Sequence, residues 1–475
     1  MAASEEQGEP PLKKAKAESA FRIMLVDISG NEVACGSWHG SCKVLELFQA
    51  ARRLKPGLQC KLMHSKFELQ PQMSVSSLDQ SLACPVTVVW IRALQKSRRT
   101  YGKAFAAIKA GGSVVTWGEP GAGGDSSSVS EKLQEGVVQV VSSSSALAAV
   151  KADGSVVTWG QPTTGGDSSS VAEKLQEGVI QVVANWCAFA AVKVDGSVIT
   201  WGDPSSGGNG TIVSAKLQQD VVQVVGSGYA FAAIKTDGSV VTWGHPHAGG
   251  DSSSVSDKLQ GVVQIFGSTS TFAALRSDGS LVTWGDESAG GNSSSVSGKL
   301  QEGVVQVVAS SYAFAAIRLD GSVVSWGDPG AGGSDSLVSE NLQNGVVQVA
   351  GSNSAFAALK ADGSLLTWGD PSAGGNSSSV FEKLQAGVVQ VVSSSYAFAA
   401  VKADGSVVTW GLSHDGGSVV SGRLQEGVVQ VVGTRYAFAA LKSDGSVFTW
   451  GRPNSGGDSS YVSKKLQTDV LGLFA

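Results

Sequence analysis

One phrase is written nine times along this chain. A Trp-Gly pair closes each copy, at Trp117, Trp159, Trp201, Trp243, Trp284, Trp326, Trp368, Trp410 and Trp450, at intervals of 42, 42, 42, 41, 42, 42, 42 and 40 residues. A fixed period of this length marks a repeat architecture, in which each unit buries its apolar surface only against its neighbours. A catalytic site has to be made once. Nine copies of a framework therefore point to architecture, and function is to be sought where the copies differ.

The unit around Val388 shows what the framework is. "VVQVV", Val388 to Val392, is a short β-branched run bounded by Gly387 and Ser393, as suits a strand buried on both faces. "AFAAVK" and "SVVTWG" flank Asp404-Gly405, a strong short-range hairpin signal. The same Asp recurs as Asp153, Asp195, Asp237, Asp278, Asp320, Asp362 and Asp444, while the first unit has Gly111-Gly112. Turn chemistry accounts for these acids without any bound cation. A Gly-Gly loop follows each Trp-Gly, and then comes a segment such as "SSSVFEKLQ", Ser377 to Gln385, which reads either as a fourth, outer strand or as a short capped helical turn.

Three or four antiparallel strands in such a unit make one propeller blade. Packing of each blade against a neighbour on both faces explains strands without polar alternation. The small residues of "AFAA" suit the region where sheets converge on an axis, and the Trp suits packing between blades. The array opens at Ala104 with no preceding "VVQVV", and "DVLGLFA", Asp469 to Ala475, stands where that strand should follow the ninth unit. The expected fold is thus mainly β: a closed β-propeller of seven to nine blades, nine by repeat count. The terminal segment supplies the strand the first unit lacks, which removes exposed strand edges.

A different module precedes the array. "FRIMLVDISGNEVACGSW" reads as strand, turn, strand; "KVLELFQAARRLKPG" places Val44, Leu47, Phe48, Ala51 and Leu54 on one helical face; "QCKLMH" and "PVTVVWIRAL" read as further strands. The order ββαββ resembles the ubiquitin-like β-grasp fold, a small α+β domain, although "WIRALQKSRR" runs on without a terminal Gly-Gly. The domain reading is a disordered tail over 1–20, a ubiquitin-like domain over 21–93, a basic linker over 94–103 and the propeller over 104–475.

Charge and composition narrow the partners. Residues 1–103 carry 15 Lys/Arg and 9 Asp/Glu, whereas residues 104–475 carry 20 and 31. An acidic body does not favour a phosphate backbone, so nucleic acid is not expected on the propeller. No apolar run reaches the length of a membrane span or a secretory signal, and five Cys make no disulfide framework. These features point to an intracellular protein without membrane contact. It would be cytoplasmic, or nuclear if "PPLKKAK" acts as an import signal.

No reactive constellation accompanies the repeats. The five His are His39, His64, His245, His247 and His414, and Cys35, Cys42 and Cys60 near His39 and His64 match no common zinc spacing. There is no phosphate-binding loop or nucleophile elbow. The expectation is no catalytic residue, no metal and no cofactor. Divergence concentrates in two loops. The residue after Trp-Gly runs Glu119, Gln161, Asp203, His245, Asp286, Asp328, Asp370, Leu412, Arg452, and the loop before "AFAA" carries Trp186, Tyr229, Tyr312, Tyr396, Arg435 and Tyr436. A fixed framework with variable loops suits a binding platform, and Tyr, Trp and Arg are common anchors of protein interfaces. Drift at unconstrained positions is the alternative.

"VVQVVGSGYAFAAIKTDGSVVTWG", Val221 to Gly244, resembles the repeat of the regulator of chromosome condensation family in its valines, its Gly, its Asp-Gly and its Trp-Gly. The resemblance spans the array and implies a propeller used as an interaction platform, in some members with guanine-nucleotide exchange on a small GTPase or within ubiquitin ligases. The family's His position is Tyr229, Tyr312, Tyr396 and Tyr436 in four units and Lys103, Ser145, Cys187, Ser270 or Ser354 in the others. No insertion resembles an exchange wedge. The expected function is a non-enzymatic protein-interaction scaffold, with nucleotide exchange or a ubiquitin-pathway adaptor role as alternatives.

Overall fold

The computed structural model describes residues 20–26, 31–39, 47, 59–64, 67–69, 75, 78, 85–91, 102–334, 339–418, 422–467 and 470–474. The chain divides into two compact units, Met1–Leu94 and Gln95–Ala475. The expected tail up to residue 19, and the expected linker as far as residue 101, lie outside the described residues.

The first unit holds a five-stranded mixed sheet. Its strands are β1 (Ala20–Val26), β2 (Glu32–His39), β3 (Gln59–His64), β4 (Phe67–Glu68) and β5 (Val86–Ile91), in the spatial order β2-β1-β5-β3-β4. β1 runs antiparallel to β2 and parallel to β5, which is antiparallel to β3. Leu25, Leu62, Leu69, Val86 and Val88 build the core, and Leu47, the described residue of the expected helix, is helical and buried with them. The sequence reading had four strands here; β4 has two residues, too few to write an alternating pattern.

In the second unit each repeat forms one three-stranded antiparallel sheet, nine among the described residues. Around Val388 the strands are Val388–Ser393, Ala397–Lys402 and Val407–Gly411, in that order. The Asp-Gly turn is closed by Gly405 N–H donating to Lys402 O (2.9 Å) and Lys402 N–H donating to Ser406 O (2.8 Å). Gly405 stands at φ 76°, a conformation costly for a residue with a Cβ. The first unit makes the same turn with Gly112 at φ 76°, so the glycine is what the turn requires.

Neighbouring sheets pack through their "VVQVV" strands, which lie side by side. The sequence reading had put "AFAA" nearest the axis. "AFAA" is instead the middle strand of every sheet, buried along its length, and its alanines let sheets approach closely on both faces. The segment after Trp-Gly forms two short 3-10 helices, Pro371–Ala373 and Ser378–Leu384 in this repeat; among the described residues none of the nine repeats contains a fourth strand. Local side-chain bonds explain the choice. Asp370 Oδ1 accepts from Ser372 N (2.8 Å) and Asn376 Oδ1 from Ser378 N (2.9 Å), which curls the backbone, and Leu384 anchors the second helix in the core.

One lock joins each repeat to the one before: an indole hydrogen bond and, in all but the second repeat, which has Leu147, a Phe ring stacked on that Trp. The Phe398 and Trp410 rings stack at 5.3 Å, and the Trp410 indole N–H donates to Gly374 O of the preceding repeat's loop at 3.0 Å. The same lock joins the first repeat to the last, where Trp117 donates to Gly456 O at 3.2 Å. Val470–Phe474 pairs with Ala104–Lys109, carrying the irregularity between Val470 and Gly472 that other repeats show between Val and Gln. Phe105, Ala107 and Trp117 share a core with Ala437, Ala439, Leu441 and Val462.

Candidate functional site

Strand direction sorts the loops of the second unit onto two faces. "AFAA" strands end, and "VVTWG" strands begin, at the Asp-Gly turns, which also bond the starts of "VVQVV" strands: Ala403 N–H donates to Gly387 O, just before Val388 of its own sheet, and Val428 N–H of the next sheet donates to Gly405 O. The opposite face gathers the loops before "AFAA" and those after Trp-Gly. Leu412 N–H donates to Tyr396 O, and Arg452 N–H to Tyr436 O. Both sets of variable positions therefore share one face, which the sequence left open.

A chain of backbone hydrogen bonds runs around this face. Ser144 N–H donates to Trp186 O, Trp186 to Gly228, Gly228 to Thr269, Thr269 to Ser311, Ser311 to Asn353, Asn353 to Ser395, Ser395 to Arg435, and Arg435 to Gly102 O at 3.1 Å. Each donor and its acceptor belong to adjacent repeats. The loops are thus fixed in a common frame.

The candidate residues sit on that frame in two groups with one outlier. Trp186 and Tyr229 meet edge-on at 4.7 Å between ring centroids. Tyr396 and Tyr436 stack at 6.2 Å with rings nearly parallel, and Arg435 lies over the Tyr436 ring at 5.0 Å. Tyr312 stands apart from both pairs and is 42% exposed. The residues after Trp-Gly also divide. Asp203, Asp286, Asp328 and Asp370 each accept a backbone N–H two residues on, capping the first 3-10 helix, so variation to acid there has a structural use. Glu119 pairs with Lys103 at 3.2 Å. Arg452 Nε donates to Asp415 Oδ1 at 2.5 Å while its guanidinium covers Tyr436 at 4.1 Å. Asp415 was not singled out from the sequence; its signal is a charge where every other repeat has Ala, Ser or Thr.

Acid-base chemistry finds little purchase here. His245 and His247 are exposed, 5.9 Å apart by ring centroid, with no carboxylate bonded to either among the described residues. The turn carboxylates are held below their ordinary pKa by the hydroxyl and backbone N–H of the serine two residues on, as at Asp404 and Asp444. That favours the charged, structural form. No group of three or more His, Cys, Asp or Glu among the described residues could hold a metal ion. No described helix is long and apolar enough to cross a membrane.

No family model matches the chain, and no curated protein matches it. Among solved structures it is similar to the CRINKLY WD40 ectodomain of the Arabidopsis thaliana receptor kinase ACR4, at 15% identity and a TM-score of 0.34, over 57% of this chain and 96% of that one. Human WBSCR16 is similar at 16% identity and a TM-score of 0.35, over 71% and 98%. Prp20p of Saccharomyces cerevisiae, whose structure was described with its binding to Gsp1p and histones, is similar at 13% identity and a TM-score of 0.33, over 75% and 82%. At these values none of them assigns this chain a function.

Proposed function

We propose that the chain is a non-enzymatic, intracellular protein-interaction scaffold: a nine-bladed propeller, closed by its terminal strand, that binds protein partners on the face bearing Trp186, Tyr229, Tyr312, Tyr396, Arg435 and Tyr436. The supporting observation is that aromatic and Arg side chains converge on one hydrogen-bonded frame while the repeated acids are absorbed into turns and caps. The test captures partners from cell extract with the full chain, with Tyr312→Glu on this face, and with Val194→Ser plus Leu319→Ser at exposed turns of the other face. Partners lost with Tyr312→Glu and kept with the turn variants support the reading. Partners indifferent to the first change, or lost only with the second, overturn it.

A narrower version makes this face a guanine-nucleotide exchange surface for a small GTPase; acceleration of nucleotide release by the full chain would establish it, and no acceleration across a GTPase panel would remove it. A second reading concerns the first unit. Its strand order, with β1 parallel to β5 at the centre, supports a β-grasp domain and with it an adaptor role in the ubiquitin pathway. Failure of the full chain to bind any ubiquitin-pathway component would remove that role.

A further inference from the structure

Three charged departures from the repeat meet at one point. Asp415 replaces a small uncharged residue, Arg435 replaces an uncharged loop residue, and Arg452 stands where no other unit has a Lys or Arg. Drift would scatter such changes over nine repeats. Here they lie in two adjacent repeats, two of them over the same ring and the third bonded to one of those two. Arg452 pairs with Asp415 and covers Tyr436 at 4.1 Å, Arg435 covers Tyr436 at 5.0 Å, and Tyr396 stacks beside it. Asp415 is fully buried, and its Oδ2 has no hydrogen-bond partner. Burial pushes its carboxyl pKa up, and the Arg452 guanidinium opposes that rise. Arg435 forms no ion pair among the described residues.

Two guanidiniums against one carboxylate leave a single unmatched positive charge beside two tyrosine rings. The array as a whole is acidic, with 31 Asp/Glu against 20 Lys/Arg over residues 104–475. A cationic island on an acidic body repels an anionic partner everywhere else and so fixes its register. We propose that Arg435, Arg452, Tyr396 and Tyr436 form the docking point for a side-chain carboxylate in an Asp/Glu-rich segment of a protein partner. The proposal rests on the scaffold reading and names the chemistry of its partner. Arg435 supplies the planar, two-pronged donor that matches a carboxylate. Asp415 holds Arg452 over Tyr436 and acts as a positioning residue. The single unmatched charge suits a monoanion, whereas a phosphate dianion would face the buried Asp415 without enough cations to balance it.

The experiment measures fluorescence anisotropy of a labelled oligoglutamate peptide with the full chain. Wild-type protein is expected to bind it in a salt-sensitive manner and to ignore an oligoglutamine peptide. Arg435→Glu is expected to weaken binding by about tenfold or more, Arg435→Lys by less, with the thermal unfolding midpoint unchanged in both. Equal binding of the two peptides, or undiminished binding by Arg435→Glu, overturns the proposal. A phosphoserine peptide bound more tightly than oligoglutamate overturns it in favour of phosphate. Salt-sensitive dimerisation of the chain, seen by light scattering and abolished by Arg435→Glu, overturns it in favour of a second copy. Partner capture that survives Arg435→Glu but fails with Tyr312→Glu sinks the docking point and leaves the scaffold reading standing.

Discussion

Gly374 shows how much one residue can decide. It stands at φ 91°, and a Cβ there would lie 2.6 Å from the Phe398 ring of the next repeat. Gly298 has open space and an ordinary φ. Gly374→Ala adds left-handed strain to overpacking and is expected to cost roughly 2–4 kcal/mol, read as a lowered denaturant midpoint. Gly298→Ala is expected to leave that midpoint within measurement error. A matching loss at both positions would show that the Gly-Gly loop is not a packing surface. The sequence shows the Gly-Gly pair but not which ring lies across it, because that ring belongs to the following repeat. Asp415 is a similar case: its charge is visible in a row of small residues, while its partner Arg452 lies 37 residues away.

At the scale of the element, the hairpins were the most legible part. Asp-Gly between apolar runs implies a tight turn, and the turn forms at all eight such sites. Its carboxylates give a pH dependence. In Asp153, Asp195, Asp237, Asp320, Asp362, Asp404 and Asp444 the serine hydroxyl, then the serine backbone N–H, depress the folded-state pKa. A depressed folded pKa contributes stability above the unfolded carboxylate range, and that stability is lost as pH falls through the folded value. The thermal midpoint is expected to fall on acidification below about pH 4, and successive Asp→Ala changes in the turns to flatten that response. An unaltered response would mean the carboxylates contribute nothing to the turns. The outer segment was the least legible element. Ser-rich "SSSV" supports either a strand or a helical turn by propensity, and hydrogen bonds accepted by Asp and Asn side chains, with one between Thr367 and Ser377, settle it.

For the array as a whole, the seam is the place to test. If the first and last repeats meet through the common lock, Trp117→Ala should cost as much as Trp243→Ala in the middle, roughly 3–5 kcal/mol each by denaturant unfolding. A mild effect at Trp117 alone would mean that the array is open. Removing residues 470–474 should act in the same direction by baring the edge of Ala104–Lys109, with aggregation as the visible result. The sequence by itself determined the period, the three strands and their hairpin, and the strand missing from the first unit, because these are local patterns of β-branched, glycine and aspartate residues. Only the tertiary structure decided that "AFAA" is the middle strand of each sheet with "VVQVV" strands of neighbouring sheets side by side, that both variable loops share one face, and that Asp415, Arg435, Arg452 and Tyr436 meet. Each of those facts depends on how one sheet is laid against the next, and a residue's neighbours across a sheet boundary leave no trace in its own stretch of chain.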